Sequence, residues 1–196
     1  MNAIVFVIVI AIVFSIFIDS ILRKKILNRL TDELAKADYD TFFRDVDSVS
    51  SKYFISKFNR EYMKLNALLI KGSKVEVKKQ IEILENMSLD DDQKKKINLM
   101  AFQFYIDERN AKSRDYLKKL RNSVPEPIIH SCEILENIYV DNGYRYFNEV
   151  LESMNNTEGF EKGFNRKLIS EMYKNKGDFS RAKIEFDKAQ IEMQNK

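Results

Sequence analysis

Helix-breaking dipeptides recur along this sequence at nearly constant intervals, and the recurrence limits what the chain can fold into. Successive breaks lie 35, 37, 33 and 35 residues apart. The five breaks are Ala37-Asp38, Gly72-Ser73, Arg109-Asn110, Asn142-Gly143 and Gly177-Asp178. Only two prolines and five glycines occur in 196 residues, so the segments between breaks are free to be helical. The pattern predicts an all-α chain built from a repeated unit.

Apolar residues flank each break at helical spacing. Before the last break, one helix face carries Leu168, Ile169, Met172 and Tyr173. Gly177 can take the left-handed conformation that ends a helix, and Asp178 can cap the next helix. Ala182, Phe186 and Ala189 then face back toward the first helix. Similar patterns at the other breaks predict about ten helices in five helix–turn–helix hairpins.

The last hairpin resembles the tetratricopeptide repeat (TPR), a pair of helices with a unit of about 34 residues. The residues that match the family pattern are Tyr173, Gly177, Phe179, Ala182, Phe186 and Ala189. Arg166, Ile169 and Ser170 stand where the family has its tryptophan and Leu-Gly pair. The resemblance implies an α-solenoid whose first helices line a concave protein-binding groove. The groove candidates that follow from it are Tyr62, Asn66, Lys167, Glu171 and Lys174.

An apolar run opens the chain. Between residues 3 and 18 only Ser15 is polar. A helix of about 20 such residues matches the hydrocarbon thickness of a bilayer, which predicts a single transmembrane helix over residues 1–22. A cleaved signal peptide would need a basic start, which is missing. The positive-inside rule places the N-terminus outside and the later residues in the cytoplasm, because the next residues include Arg23, Lys24, Lys25 and Arg29.

Ala11, Ser15 and Asp19 share one face of this predicted anchor. One interpretation is a packing face for another membrane helix, including a second copy of this chain. The other is that Asp19 lies at the headgroup level and pairs with Arg23. The basic residues that follow the anchor could also contact anionic headgroups at the membrane surface.

The predicted domains are an anchor (1–22), a basic juxtamembrane helix that can double as the first repeat helix (23–36), and a TPR-like domain (37–196). The 33 basic and 30 acidic residues nearly balance, which argues against a nucleic-acid partner. His130 and Cys132 are the only His and Cys, so no metal site is expected. No nucleotide-binding or hydrolase motif occurs, and neither a cofactor nor catalysis is predicted.

The function predicted from these features is protein–protein recognition. The chain would act as a membrane-tethered scaffold or adaptor, as a subunit or assembly factor of a membrane-associated complex, with a protein or peptide as its partner. Two alternatives stay open at this point. The first is a homo-oligomeric organiser that acts through its anchor. The second is an all-helical enzyme or regulator without a recognisable motif.

Overall fold

The computed structural model describes the backbone of residues 3–194 and the side chains of residues 19–194. All regular secondary structure in this described part is helical, in agreement with the all-α prediction. The helices are α1 (Ala3–Ala35), α2 (Tyr39–Val46), α3 (Val49–Phe54), α4 (Lys57–Lys71), α5 (Lys74–Glu85), α6 (Asp91–Asp107), α7 (Ser113–Leu120), α8 (Glu126–Tyr139), α9 (Phe147–Asn155), α10 (Gly159–Asn175) and α11 (Phe179–Gln194).

Each of the five predicted helix breaks begins with a residue of left-handed φ, so the break positions are confirmed. The φ values are 56° at Ala37, 74° at Gly72, 49° at Arg109, 52° at Asn142 and 81° at Gly177. Glycine takes this conformation readily, whereas a side chain with a Cβ costs roughly 1–2 kcal/mol there. The chain therefore reverses at these positions even where the residue, such as Ala37 or Arg109, disfavours left-handed φ.

The same backbone hydrogen bond closes four of these breaks. The residue after the left-handed one donates its N–H to the carbonyl five residues earlier, which is the Schellman pattern of helix ends. These bonds run from Asp38 to Glu33, from Ser73 to Leu68, from Asn110 to Tyr105 and from Asp178 to Tyr173, at 2.9–3.1 Å. The fourth break is wider, because Gly143 reaches back six residues to the carbonyl of Asn137 at 2.7 Å.

The chain forms two compact units, Met1–Asp90 and Asp91–Lys196. The first unit contains α1 to α5. Its core residues are Ile26, Leu30, Phe42, Val46, Ile55 and Ala67. Leu30, Phe42 and Val46 are fully buried, which agrees with the apolar faces predicted on both sides of the first break. The C-terminal half of α1 thus packs as the first helix of a hairpin with α2.

An additional helix interrupts the first unit. The spacing of Phe42, Val46 and Val49 predicts one continuous helix face, but α2 ends at Val46. Ser48 then caps α3 by accepting a hydrogen bond from the N–H of Ser51 at 3.3 Å. Val49 consequently lies 85% exposed at the start of α3. The cap at Ser48 therefore divides into α2 and α3 a segment that the apolar spacing predicts as one helix.

The second unit contains α6 to α11. Two of its helices, α6 and α7, pack through Tyr105 and Tyr116, whose stacked rings lie 5.5 Å apart. A second group of core residues joins α8, α9 and α10: Ile138, Val150, Met154, Leu168, Ile169 and Met172. The apolar faces predicted around the fourth and fifth breaks supply this core.

The predicted membrane anchor is not supported. Across the residues that the structure describes, no helix combines the length and the apolar character needed to cross a membrane. A span needs about 20 apolar residues in succession, and the described side chains of α1 begin with Asp19 and include Arg23, Lys24 and Lys25. This finding contradicts the predicted transmembrane helix over residues 1–22. It also contradicts the predictions that depend on that helix, namely a single-pass membrane location with the N-terminus outside and the later residues in the cytoplasm. Residues 1–18 of that prediction lie outside the described side chains.

Candidate functional site

Small residues hold the fifth hairpin, α10 and α11, together at four positions. They lie 14 and 7 residues before Gly177 and 5 and 12 residues after it: Gly163, Ser170, Ala182 and Ala189. A methyl group on Gly163 would lie 2.6 Å from Met193 Cγ and 3.1 Å from the carbonyl oxygen of Ala189. The hydroxyl of Ser170, fully buried, donates to the carbonyl oxygen of Ala182 at 2.7 Å. The two helix backbones therefore approach closely along their length.

Arg166 adds a polar tie to this hairpin. Its guanidinium donates to Glu185 at 2.6 Å and to Glu192 at 2.9 Å, both on α11. The Arg166 side chain is only 15% exposed. Burial alone would raise the pKa of Glu185, but hydrogen bonds from Arg166 and Lys188 outweigh it and lower that pKa. Arg166 thus forms a bridge between α10 and α11.

The fourth hairpin, α8 and α9, carries large residues at the same four offsets from its left-handed residue, Asn142. These are Ile128, Leu135, Phe147 and Met154. Larger side chains at a contact hold helix axes farther apart. In agreement with this rule, α9 packs mainly against α10 and hardly against α8. The fourth hairpin is therefore splayed, and space remains between its two helices.

A cleft of about 440 Å³ occupies this space, and we call it the α8–α9 cleft. Its lining residues are Pro127, His130, Ser131, Ile134, Leu135, Glu149, Val150, Ser153, Glu161, Phe164, Asn165 and Leu168. Val150 and Leu168 are buried in its floor, beside the half-buried Ile134 and Leu135. Phe164 is 39% exposed. The volume lies within the range of ligand-binding clefts, about 300–1,000 Å³.

Polar groups line the walls of the α8–α9 cleft. His130 Nε2 on α8 lies 2.6 Å from Glu149 Oε1 on α9, so this pair bridges the splayed helices. Asn165 on α10 donates from Nδ2 to the hydroxyls of Ser153 and Thr157 at 3.1 and 3.3 Å. Glu161 is exposed on the α10 wall. The cleft therefore combines an apolar floor with two carboxylates and an oriented amide.

The groove candidates of the second unit lie on a different face of α10. Lys167 and Lys174 are exposed there, as a contact role requires. Glu171 is not available in the same way, because its buried carboxylate binds Arg109 and Lys174, each at 2.6 Å. These bonds outweigh the effect of burial and lower the pKa of Glu171. Arg109 also lies 5.3 Å from the ring of Tyr139, so Glu171 belongs to a polar contact that joins the α6–α7 turn, α8 and α10.

The groove candidates of the first unit, Tyr62 and Asn66, are both half-buried on α4. The Tyr62 ring stacks on Phe58 at 5.6 Å. Burial raises the pKa of the Tyr62 hydroxyl. Beside them, Gln80 on α5 donates to the carboxylate of Glu61 at 2.9 Å, which fixes α4 against α5. The five candidates are thus divided between the two units, two in the first and three in the second.

The residues assigned to the anchor and the membrane surface have mixed outcomes. Ala11 and Ser15 lie outside the described side chains. Asp19 is exposed and makes no ion pair with Arg23, although the structure describes both residues. Arg23, Lys24 and Lys25 are exposed. Arg29 instead has a structural contact, since its guanidinium lies 3.2 Å from the carboxylate of Asp45 on α2.

Two residues singled out by their rarity have different environments. Cys132 is buried, and burial raises the pKa of its thiol to about 11, so it packs as an inert apolar residue. His130 lies in the wall of the α8–α9 cleft. Within the described part of the chain, no group of His, Cys, Asp and Glu could hold a metal ion.

Most of the cleft, including Glu149, Glu161, Phe164 and Asn165, was not predicted from the sequence. Their relevance depends on the distance between α8 and α9, which spacing along one helix does not report. Comparisons with known proteins add no assignment: no family model, no curated protein and no solved structure matches this chain.

Proposed function

We propose that this chain is a protein-binding module of TPR-like helical hairpins that recognises a segment of another protein. One observation carries the proposal. The same chain reversal recurs at intervals of 33–37 residues, each time at a residue of left-handed φ, in both compact units. Helical hairpins that repeat at this period typically serve as binding surfaces, because they present many side chains of adjacent helices to one ligand.

The fifth hairpin supports the TPR-like interpretation most directly. It has buried small residues at Ser170, Ala182 and Ala189, where the family pattern requires close helix contact. Its surface carries Lys167 and Lys174 together with exposed aromatic rings. Lys174 Nζ lies 5.7 Å from the ring of Phe186, which is 37% exposed. Aromatic residues are enriched at protein interfaces, and a lysine ammonium near a ring face is attracted to it.

The test is site-specific photo-crosslinking of the full chain in the cells that make it. A photoreactive amino acid replaces Lys167 or Lys174 in turn, and adducts are identified by mass spectrometry. We expect both positions to capture the same protein. Asp187, which is exposed elsewhere on α11, is the matched control position and should not capture it. Equal adducts at all three positions, or none at Lys167 and Lys174, would contradict the proposal.

A further inference from the structure

We infer that the α8–α9 cleft binds a partner segment that places an apolar side chain on the cleft floor and a Lys or Arg beside it. The inference rests on the proposed function and defines the chemistry of the partner. It assigns the contact to the space inside the splayed fourth hairpin, which is separate from the Lys167 and Lys174 face of α10.

The floor determines the apolar part of this ligand. Ile134 and Leu135 come from α8, Val150 from α9 and Leu168 from α10, and together they form an apolar part of the lining of this cleft of about 440 Å³. An apolar floor gains from covering by another apolar group, because both surfaces leave water together. Phe164, which is 39% exposed, supplies an aromatic ring beside the same floor. A Leu, Ile, Met or Phe side chain of the partner suits this surface.

The walls determine the charge of the ligand. Glu149 and Glu161 are the only lining residues with a formal charge when His130 is neutral, and they come from two different helices. The whole chain has a net charge of +3, so this local negative charge is opposite in sign to the average. Glu161 makes no ion pair with any residue that the structure describes. A cationic side chain in a cleft lined by these carboxylates would be electrostatically complementary.

The amide of Asn165 completes the recognition. Its Nδ2 group is held by the hydroxyls of Ser153 and Thr157, and this fixes the direction of the side chain. Its Oδ1 atom accepts no hydrogen bond from the described residues. It is therefore placed to accept one from a backbone N–H of the bound segment. A peptide main chain satisfies this requirement, which favours a peptide over a ligand without N–H groups.

The experiment is a selection from a display library of random 12-residue peptides on the immobilised full chain. The most enriched peptides are then labelled with fluorescein, and their affinities are measured by anisotropy. We expect enriched peptides to carry Lys or Arg next to Leu, Ile, Met or Phe. The double variant Glu149→Gln, Glu161→Gln should bind them about tenfold more weakly, and binding should weaken with added salt.

Two matched controls keep the test specific. Glu152→Gln changes an exposed carboxylate of α9 that does not line the cleft, and it should leave the affinity within about twofold. Ser131→Trp places a large ring in the cleft and should abolish binding. Ser180→Trp makes the same change at an exposed position on α11 and should not. Circular dichroism of each variant shows whether it is folded.

The outcomes separate this inference from the proposed function. Enriched peptides without basic residues, or affinities unchanged by Glu149→Gln with Glu161→Gln, would overturn the cleft assignment. If peptides bind but respond only to Lys167→Glu and Lys174→Glu, the cleft inference fails and the protein-binding function stands. If no peptide is enriched over an empty surface, both fail.

Discussion

The fourth and fifth hairpins of this chain differ in how closely their helices pack, although each reverses direction at a residue of left-handed φ. In the fifth, a serine hydroxyl on α10 reaches a backbone carbonyl of α11 at 2.7 Å. In the fourth, α9 turns away from α8 and packs on α10 instead. The bond across the fourth turn also spans one more residue than in the other hairpins.

Side-chain size at four positions accounts for this difference. Gly163, Ser170, Ala182 and Ala189 in the fifth hairpin correspond to Ile128, Leu135, Phe147 and Met154 in the fourth. In the fifth hairpin these offsets place the small residues on facing helix surfaces. In the fourth, Leu135, Phe147 and Met154 are buried or half-buried, whereas Ile128 is 40% exposed. Small residues close the pair, whereas large residues open it and leave a cleft. Within one repeat, a cleft can thus arise where larger residues take the positions at which small residues close the pair.

The largest expected effect comes from transferring a fourth-hairpin residue to the fifth. Ala182→Phe places a ring where Ser170 now meets the backbone, and overpacking should lower the free energy of unfolding by about 2–3 kcal/mol. Urea unfolding followed by circular dichroism measures the loss. Lys183→Phe, at the neighbouring exposed position, is the control and should have little effect. An unchanged midpoint for Ala182→Phe would show that small residues do not set the separation.

The polar bridge of the fifth hairpin should have the next largest effect. Arg166→Met keeps most of the side-chain volume but removes the donor that joins Glu185 and Glu192, so that Glu185 keeps only its bond from Lys188. We expect a loss of about 1–2 kcal/mol in the same unfolding measurement. The variant Arg166→Lys should recover part of it, because it restores a charge without the two-pronged geometry. If Arg166→Met were as stable as the parent chain, the Arg166 bridge would not contribute to holding α10 and α11 together.

Acid should destabilise the fifth hairpin through Glu185. Its pKa in the folded chain is lowered from the ordinary value of 4.5, so the native state favours the ionised form. Its contribution is complete above pH 4.5 and is lost as the pH falls through the lowered pKa. Glu185→Gln should therefore flatten the decline in stability between about pH 5 and pH 3, and Arg166→Met should flatten it too. Unfolding curves with the same slope in the parent and both variants would contradict this.

The smallest effect is expected across the fourth hairpin. His130 and Glu149 form a bridge as short as that of Arg166, but their side chains are 43% and 50% exposed. Exposed pairs contribute little, so His130→Gln should cost no more than about 0.5 kcal/mol. The same unfolding measurement applies. A loss equal to that of Arg166→Met would mean that this bridge, and not the bulk of Leu135 and Phe147, determines the geometry of the cleft.

The sequence predicted the turns well because turns depend on local chemistry. Gly72, Gly177 and Asn142 belong to residue types that accept left-handed φ, and Asp38 and Asp178 are good helix caps. Ala37 and Arg109 are of types that disfavour left-handed φ, and the breaks there are indicated by the Asp38 and Asn110 that follow them. Buried apolar faces on both sides of most breaks also followed from spacing alone. The serine cap that separates α3 from α2 was present in the sequence but was outweighed by the apolar spacing.

The candidate site was less predictable because it depends on contacts between distant residues. Glu171 has the spacing of a groove residue, but Arg109, 62 positions away, covers it. The sequence does contain one indication of the α8–α9 cleft, which is the large residues at the four offsets around Asn142. Their meaning becomes clear only by comparison with the small residues at the same offsets in the fifth hairpin. Glu149 and Glu161 carried no signal of their own, since carboxylates on exposed helix faces are common.

The packing of α9 against α10 has a consequence for the order in which the second unit is completed. A nascent chain emerges from the ribosome N-terminus first, at about 5–20 residues per second. α9 ends at Asn155 and its principal partner α10 ends at Asn175. α9 therefore waits roughly one to four seconds of synthesis for the surface that buries it. During that interval Val150 and Met154 lack their α10 contacts, and this part of the growing chain is open to chaperones and to misassociation.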